Sequence, residues 1–475
     1  MASLTLVPNP TQPDPEGPTI AQQLSAFASG FSYEGIPERV RESAKDFILD
    51  AVGCALASSE YDFSHRILAG LRGIGEVGSC TVIGFADRLP MRDAALMNGA
   101  LIHGLDYDDS HLEAVLHPGV TSLACALALG ENTDRSGCDL LAAYVLGVEN
   151  VIRISRASRG GFHHFGYHPT GLIAHFSCAI EAAWLLGLSE RQMTMAQGLA
   201  GSTAAATQEF LSEGAWNKRL HPGWAVVAGI TAASLARGGT IGPTRPYEGR
   251  LGIYNTHLHH LAEKVDYSLI TRGLGAEWEL LEIAVKPFPV CHFVHACGDA
   301  ALTLREKYRI DPDQIEMVTA VLAEPTMHIV AEPVAVKRRP ANDYDAKFSV
   351  HFFVAACLVR GGFGLEELKE DSLRDPKILA LAEKVEAVVD RDTLYPKYIS
   401  GGVTILMKDG TRHVHYDAVN RGAGDRALTR TEIEEKFFAN AKLAVSPVRA
   451  REIRDAVYRL EDLSAREFGA VLAGR

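Results

Sequence analysis

Residues 98–119, NGALIHGLDYDDSHLEAVLHPG, carry the densest chemistry in the chain. Asp106, Asp108 and Asp109 lie within four residues; His103 stands three before them, and Ser110, His111 and His117 follow. Carboxylates this close repel one another unless cations, donors or a ligand compensate them. The run reads as a helix N-capped by Asp93. The i+3/i+4 relation would then put His103 with Asp106, and Asp106 with Ser110, on one face. A solvated helix end rich in acids would show the same residues. Apolar sequence on both sides (Ala100-Leu101-Ile102 before, Val120 and Leu123 after) argues instead for a buried site.

Three further clusters lie at element boundaries. In GGFHHFGYHPTG (160–171), His168-Pro169 places an imidazole at a helix N-terminus, where the dipole disfavours the protonated form and suits an anion. In WNKRLHPG (216–223), Lys218, Arg219 and His221 fall just before a helix predicted over 222–238. Either cation could neutralise a substrate carboxylate, and a desolvated lysine can also serve as an acid/base group. In KPFPVCHFVHACGD (286–299), Lys286, His292, His295 and Asp299 come together, the two histidines at i,i+3 if a helix starts after Pro289. Arg338, Arg339 and Lys347 (in 338–349) read as surface charges in preference to carboxylate ligands.

The sequence has no glycine-rich phosphate loop, no GxGxxG after a strand and no GxSxG elbow. His103, Asp106, Asp108 and Asp109 are hard ligands suited to Mg²⁺ or Mn²⁺. Lys218, Arg219 and several histidines would have to share that pocket, so no metal is expected there.

The elements that must position these groups are mostly helical. Helical periodicity covers 64–74, 90–105, 120–132, 139–158, 169–187, 189–207 and 222–238, with Pro37 opening an earlier helix and Ser189-Glu190 a capped one. CTVIGF (80–85) is a short strand candidate. After about residue 275 the pattern changes: 316–324, 385–390, 402–410 and 411–419 read as strands, the last two joined by Asp409-Gly410, while 346–362 is a buried helix. The fold class is therefore mainly α, a large all-helical domain plus a smaller α+β lid domain. The division is a flexible proline-rich arm over 1–18, the helical domain over 19–275, the lid over 276–420, and C-terminal helices over 421–475 packing back on the helical domain. At 475 residues, 47% of them hydrophobic and 43 glycine, such a chain has ample core.

A formal net charge of −12 argues against nucleic acid or an anionic membrane surface as partner, and makes any pocket for an anionic substrate locally basic. The first residues lack a basic start and apolar core, no apolar run approaches a membrane span, and eight scattered cysteines form no CxxC pair. These features point to reduced thiols and a cytoplasmic protein.

NGALIHGLDYDDSH, GYHPTG, NKRLHPGWA and KPFPVCHFVH, in this order and at these intervals, resemble the MmgE/PrpD family, which includes 2-methylcitrate dehydratases, cis-aconitate decarboxylases and iminodisuccinate epimerases. The resemblance covers nearly the whole chain. It implies an active site in the cleft between a helical domain built from both termini and an α+β lid, a homodimer, and chemistry without cofactors. Carried over, the catalytic set is Asp106, Ser110, His117, His168, Lys218 and His295. His103, Arg219, His221 and Lys286 would be substrate-binding, and His111 is the substitute for His117. Lys218 and His168 would anchor the substrate, His117 and His295 form the acid/base pair, Asp106 orient one of them, and Ser110 donate to substrate. Asn217-Lys218-Arg219 departs from the Thr-Lys-Pro of several members. The implied activity is a lyase, dehydratase or decarboxylase, on a small di- or tricarboxylic acid such as a 2-methylcitrate- or cis-aconitate-like substrate. The alternatives are an epimerase of a small dicarboxylate and a metal-dependent phosphohydrolase built on His103 and the aspartates.

Overall fold

A computed structural model describes residues 17–474, so all but the end of the 1–18 arm lies outside the described residues. The longer helices of the first half are Ile20–Ser29, Glu38–Ser59, Asp62–Ile74, Met91–His103, Pro118–Thr133, Gly137–Arg156, Pro169–Leu185, Glu190–Ala200 and Asn217–Arg237. Thr19, Ser136 and Ser189 start three of them with reciprocal capping boxes, satisfying backbone N–H groups that have no partner within the helix.

Small residues let these helices touch backbone to backbone. A Cβ on Gly99 would sit 2.7 Å from Gly223 Cα, and one on Gly223 would sit 2.4 Å from the Leu96 carbonyl. This crossing fixes the start of the Asn217–Arg237 helix over the end of the Met91–His103 helix. Gly223→Leu is expected to destabilise the fold by about 1–3 kcal/mol or more, because overpacking here must displace backbone. Urea denaturation checks this, and an unchanged midpoint would show that the crossing is slack.

The α+β part carries a four-stranded sheet in spatial order Val385–Asp390, Ile315–Ala323, Gly401–Met407, Arg412–Asp417. The first pair is parallel and the others antiparallel, so Ala320 lies between Ala387 and Val403. The hairpin turns at Asp409-Gly410 as the sequence indicates, with Gly410 at φ +87°. Helices His295–Tyr308 and Val350–Arg360 cover the sheet. The chain then returns, and Arg430–Ala441 packs against Glu38–Ser59 through Phe437 and Gly53.

Two hydrophobic cores result. One is built from the helices before residue 286 together with Ile433, Phe437, Ile453, Phe468 and their neighbours. The other is built from residues 288–405 and takes in Phe63, Leu105, Tyr107 and Phe210 from the helical part. The architecture is a helical domain with a smaller α+β domain. No helix among the described residues is long and apolar enough to cross a membrane, and all eight cysteines are free thiols.

Local expectations differ at several points. Pro90, not Asp93, occupies the N-cap of Met91–His103, and Asp93 lies in the first turn. The helix expected over 189–207 stops at Ala200, and the strand expected over 80–85 shrinks to Cys80–Thr81 paired with Arg88–Leu89. The helix expected from 222 begins at Asn217 and encloses Pro222 as its sixth residue, so the i→i−4 bond to the Lys218 carbonyl is missing there.

Candidate active site

The Met91–His103 helix ends before the acids begin. Asp106 lies at φ +54°, in the left-handed region, so it does not share a helix face with Ser110, as the sequence reading had it. A turn after the helix brings the acidic run into the cleft. The C-terminal pole of a helix is negative, and each of the next carbonyls accepts from a different cation. Gly104 O takes Arg219 Nε at 2.8 Å, Leu105 O takes Lys347 Nζ at 2.5 Å, Asp106 O takes Lys286 Nζ at 2.8 Å, and Tyr107 O takes Lys436 Nζ at 2.8 Å. Lys347 is therefore not a surface charge. It is fully buried, which lowers its pKa to about 8. Arg339 does fit the surface reading, exposed and paired with Glu383 at 2.8 Å.

The three aspartates escape mutual repulsion by taking different partners. Asp106 Oδ1 lies 2.6 Å from Lys218 Nζ and 3.3 Å from Lys286 Nζ. Burial alone would raise its pKa, but the two lysines, with His117 and His103, hold it well below the usual carboxylate range. Asp108 is also buried, and its Oδ2 accepts from His103 Nδ1 at 2.8 Å. Burial acts to raise its pKa, and the imidazole neighbours, His103 foremost, lower it instead. Burial, and then the charge of Asp108, push the Asp109 pKa well above the usual carboxylate range. Its Oδ1 accepts from Gly119 N at 3.1 Å.

Proline at the first helical position makes the preceding residue extended, and this sets two imidazoles at helix mouths: His117 before Pro118 and His168 before Pro169. The two helix starts are tied by His117 N–H donating to Thr170 Oγ1 at 3.0 Å. His117 Nδ1 lies 2.6 Å from the Asp109 carbonyl, which can only accept, so Nδ1 carries the proton. Its Nε2 then holds a lone pair, 3.8 Å from Asp106 Oδ1, and Ser110 Oγ lies 3.3 Å from Nδ1. Burial lowers the His117 pKa to about 3, so the free base persists at neutral pH.

These groups open on one cavity of about 690 Å³, part of it continuous with solvent. Asp106, Ser110, His117, His168, Lys218 and Lys286 line it, with His111, His163, Gln208, Cys291 and His292. The apolar wall comes from both domains, including Leu112 and Phe210 from one and Ile329, Phe348 and Ile399 from the other. His295 does not line it. That ring lies behind His292 at 4.5 Å between centroids, with Nε2 turned to the Val290 carbonyl. Arg219 points away, stacked over Phe63 and bonded to Gly104 O. His103 packs beneath His117 and His168, and His221 supports His168 through an Nδ1–Nδ1 contact of 3.2 Å. The cavity-facing role of His292 escaped sequence reasoning because it and His295 fit the same helical spacing. The structure puts His292 in a short 3-10 turn just before the helix.

His103, Asp106, Asp108 and His117 present ligand atoms within 4.8 Å of one another. Two ammonium groups already lie on Asp106, and His103 Nδ1 is spent as a donor to Asp108, so this donor set suits a dication poorly.

Burial lowers the pKa of His117, His168, His292 and His295 below the ordinary value, and of His163, His175 and His221 to about 4. A histidine held neutral in the fold binds its proton more readily when unfolded. Stability is therefore full above pH 6.5 and falls as pH drops toward these lowered values. The urea midpoint is expected to decline steadily from pH 6.5 to pH 4.5, and a flat or rising midpoint would contradict neutral buried imidazoles.

The family model for the MmgE/PrpD N-terminal domain matches residues 22–264, and that for the MmgE/PrpD C-terminal domain matches residues 288–462. The chain is 28% identical to cis-aconitate decarboxylase of Homo sapiens over 458 residues, covering 94% of this chain and 92% of the relative. It is 26% identical to cis-aconitate decarboxylase-like protein oryM of Aspergillus oryzae, covering 98% and 99%. To 2-methylcitrate dehydratase of Escherichia coli it is 25% identical, covering 80% and 81%. With both domain models matched in order across a helical domain and a smaller α+β domain that meet at one basic cavity, this chain belongs to the MmgE/PrpD family.

Proposed function

We propose that the protein is a lyase, a dehydratase or decarboxylase, acting without a cofactor on a small di- or tricarboxylic acid of the cis-aconitate or 2-methylcitrate kind. The observation that carries this reading is the pairing of Lys218 and Lys286 on the cavity wall beside the unprotonated Nε2 of His117. Two ammonium groups can hold substrate carboxylates and stabilise the enolate-like charge that develops next to them. His117 Nε2 can take a proton from the carbon beside a carboxylate, and the imidazolium so formed can return it. In dehydration the C–H pair forms the alkene as hydroxide leaves with a proton. In decarboxylation the C–C pair passes to the enolate as CO₂ leaves, and the carbon is then protonated. His168, at its helix mouth, favours an anion, Ser110 supplies a hydroxyl donor, and Asp106 holds both lysines in place. Names of relatives at 25–28% identity support the reaction class and leave the acid open.

The test is NMR in D₂O over citrate-like and succinate-like acids. Loss of water or of CO₂ is expected. Deuterium entering a retained stereocentre with neither loss would favour an epimerase. Activity lost to a chelator and restored by Mg²⁺ would favour the metal reading.

Free thiols throughout suit work in the cytoplasm. The proposal extends to a homodimer, supported by Trp224 and Leu235, 53% and 47% exposed beside an apolar hollow on the outer face of Asn217–Arg237. Sedimentation should give twice the chain mass, and Trp224→Glu with Leu235→Glu should halve it.

A further inference from the structure

His292 lines the cavity, yet it is buried and its Nδ1 has no hydrogen-bond partner in the protein. Its other nitrogen, Nε2, lies 2.8 Å from Nδ2 of Asn420, a residue with no solvent exposure. Amide orientation is usually a matter of assignment, but here the backbone decides it. Ile399 N–H, which can only donate, lies 3.0 Å from the other amide atom of Asn420, so that atom is the oxygen. The nitrogen then faces His292 and donates to it. Nε2 must therefore carry the lone pair, and in a neutral ring the hydrogen sits on Nδ1.

Other surroundings keep the ring neutral. Lys286 and the rings of His295 and His117 are near it, Asp106 is the carboxylate that acts on it, and burial outweighs that charge. A buried N–H without an acceptor is unfavourable, and such a group is kept where a ligand supplies the acceptor. His117 shows the opposite arrangement. There a carbonyl holds Nδ1–H and leaves the Nε2 lone pair for substrate.

We propose that Asn420 is a positioning residue that locks His292 in the Nδ1–H tautomer, making His292 a neutral hydrogen-bond donor to a substrate carboxylate or to the enolate oxygen that develops from it. The pair then divides the work: His117 moves the proton and His292 holds the oxygen. The donor role rests on the carboxylic-acid reading of the cavity; the tautomer does not.

The tautomer is read from ¹⁵N shifts of the histidine-labelled full-length protein without substrate. A protonated Nδ1 and an unprotonated Nε2 are expected for His292. The reverse tautomer overturns the proposal. Asn420→Asp presents an acceptor to Nε2 and should switch the tautomer. Asn420→Asp with the wild-type tautomer overturns the positioning role. His292→Asn keeps an amide N–H near the Nδ1 position, whereas His292→Gln carries its amide toward Nε2. With cis-aconitate or 2-methylcitrate as substrate, His292→Asn should stay within about tenfold of wild type, and His292→Gln should lose roughly 10²–10³-fold in kcat. Equal losses in the two variants overturn the donor role. So does a His292 Nδ1–H resonance unmoved by an acid that the enzyme turns over. An enzyme inert toward every acid overturns the carboxylate reading and the donor role with it, and the nitrogen shifts still decide the tautomer on their own.

Discussion

Asp106→Ala is expected to lower folding stability by about 3–5 kcal/mol and to reduce kcat/KM by at least roughly 10²-fold. The carboxylate sits between Lys218 and Lys286 at 2.6 and 3.3 Å, and both ammonium groups are buried. Removing it leaves two like charges facing each other with no counter-ion, a far larger penalty than losing an exposed pair. Asp106→Asn preserves shape and one acceptor but not charge, so it should fall between wild type and alanine in stability. Adding Lys218→Met to Asp106→Asn should recover part of the stability while activity stays lost, since one unpaired cation is gone but the substrate anchor is gone too. Guanidinium denaturation and steady-state kinetics on the same preparations separate the two effects. A wild-type midpoint for Asp106→Ala would mean that the lysines are solvated and the buried triad is wrong.

His117→Asn should lower kcat by roughly 10²–10⁴-fold and leave stability almost unchanged. The shorter amide can still donate to the Asp109 carbonyl, which keeps the loop in place, while nothing remains at the Nε2 position to accept a proton. The same geometry fixes a pH signature. With its pKa lowered to about 3, wild-type His117 stays a free base as pH falls, so kcat/KM should show no break near 6.5 on the acid side. The profile is measured at pH 5–8 where the protein remains folded. An acid limb near 6.5 that disappears in His117→Asn would show a solvated imidazole and sink the assignment.

Parts of the candidate site's geometry are legible in the sequence, for definite reasons. His168-Pro169 announces its own geometry, because proline dictates the backbone of the residue before it and starts the helix after it. Asp409-Gly410 does the same for the hairpin. Lys218 stood out as a cation in an acidic chain, although its helix begins earlier than Pro222 suggested. The misreadings share a cause, which is that tertiary burial leaves no local trace. Lys347 stands at the start of the segment read as a buried helix, yet its charge alone suggests the surface, and the carbonyl that holds it lies 242 residues away. His292 and His295 satisfy one spacing rule equally, and their order in depth is decided by Asn420, 128 residues beyond His292. Arg219 looked like a substrate ligand by charge alone, and aromatic neighbours with the Gly104 carbonyl claim it instead.

The carbonyl row after the Met91–His103 helix has a bearing on how the enzyme can be divided. Three of its ammonium donors, Lys286, Lys347 and Lys436, lie beyond residue 264, where the first matched domain ends. A half-molecule truncated there would carry every aspartate of the run yet leave three of its peptide oxygens without their clamps. Such a fragment should be nicked readily by protease around 104–110 and be inert. Adding the complementary half should make the segment resistant again at the moment turnover returns, so that proteolytic protection and catalysis are restored together.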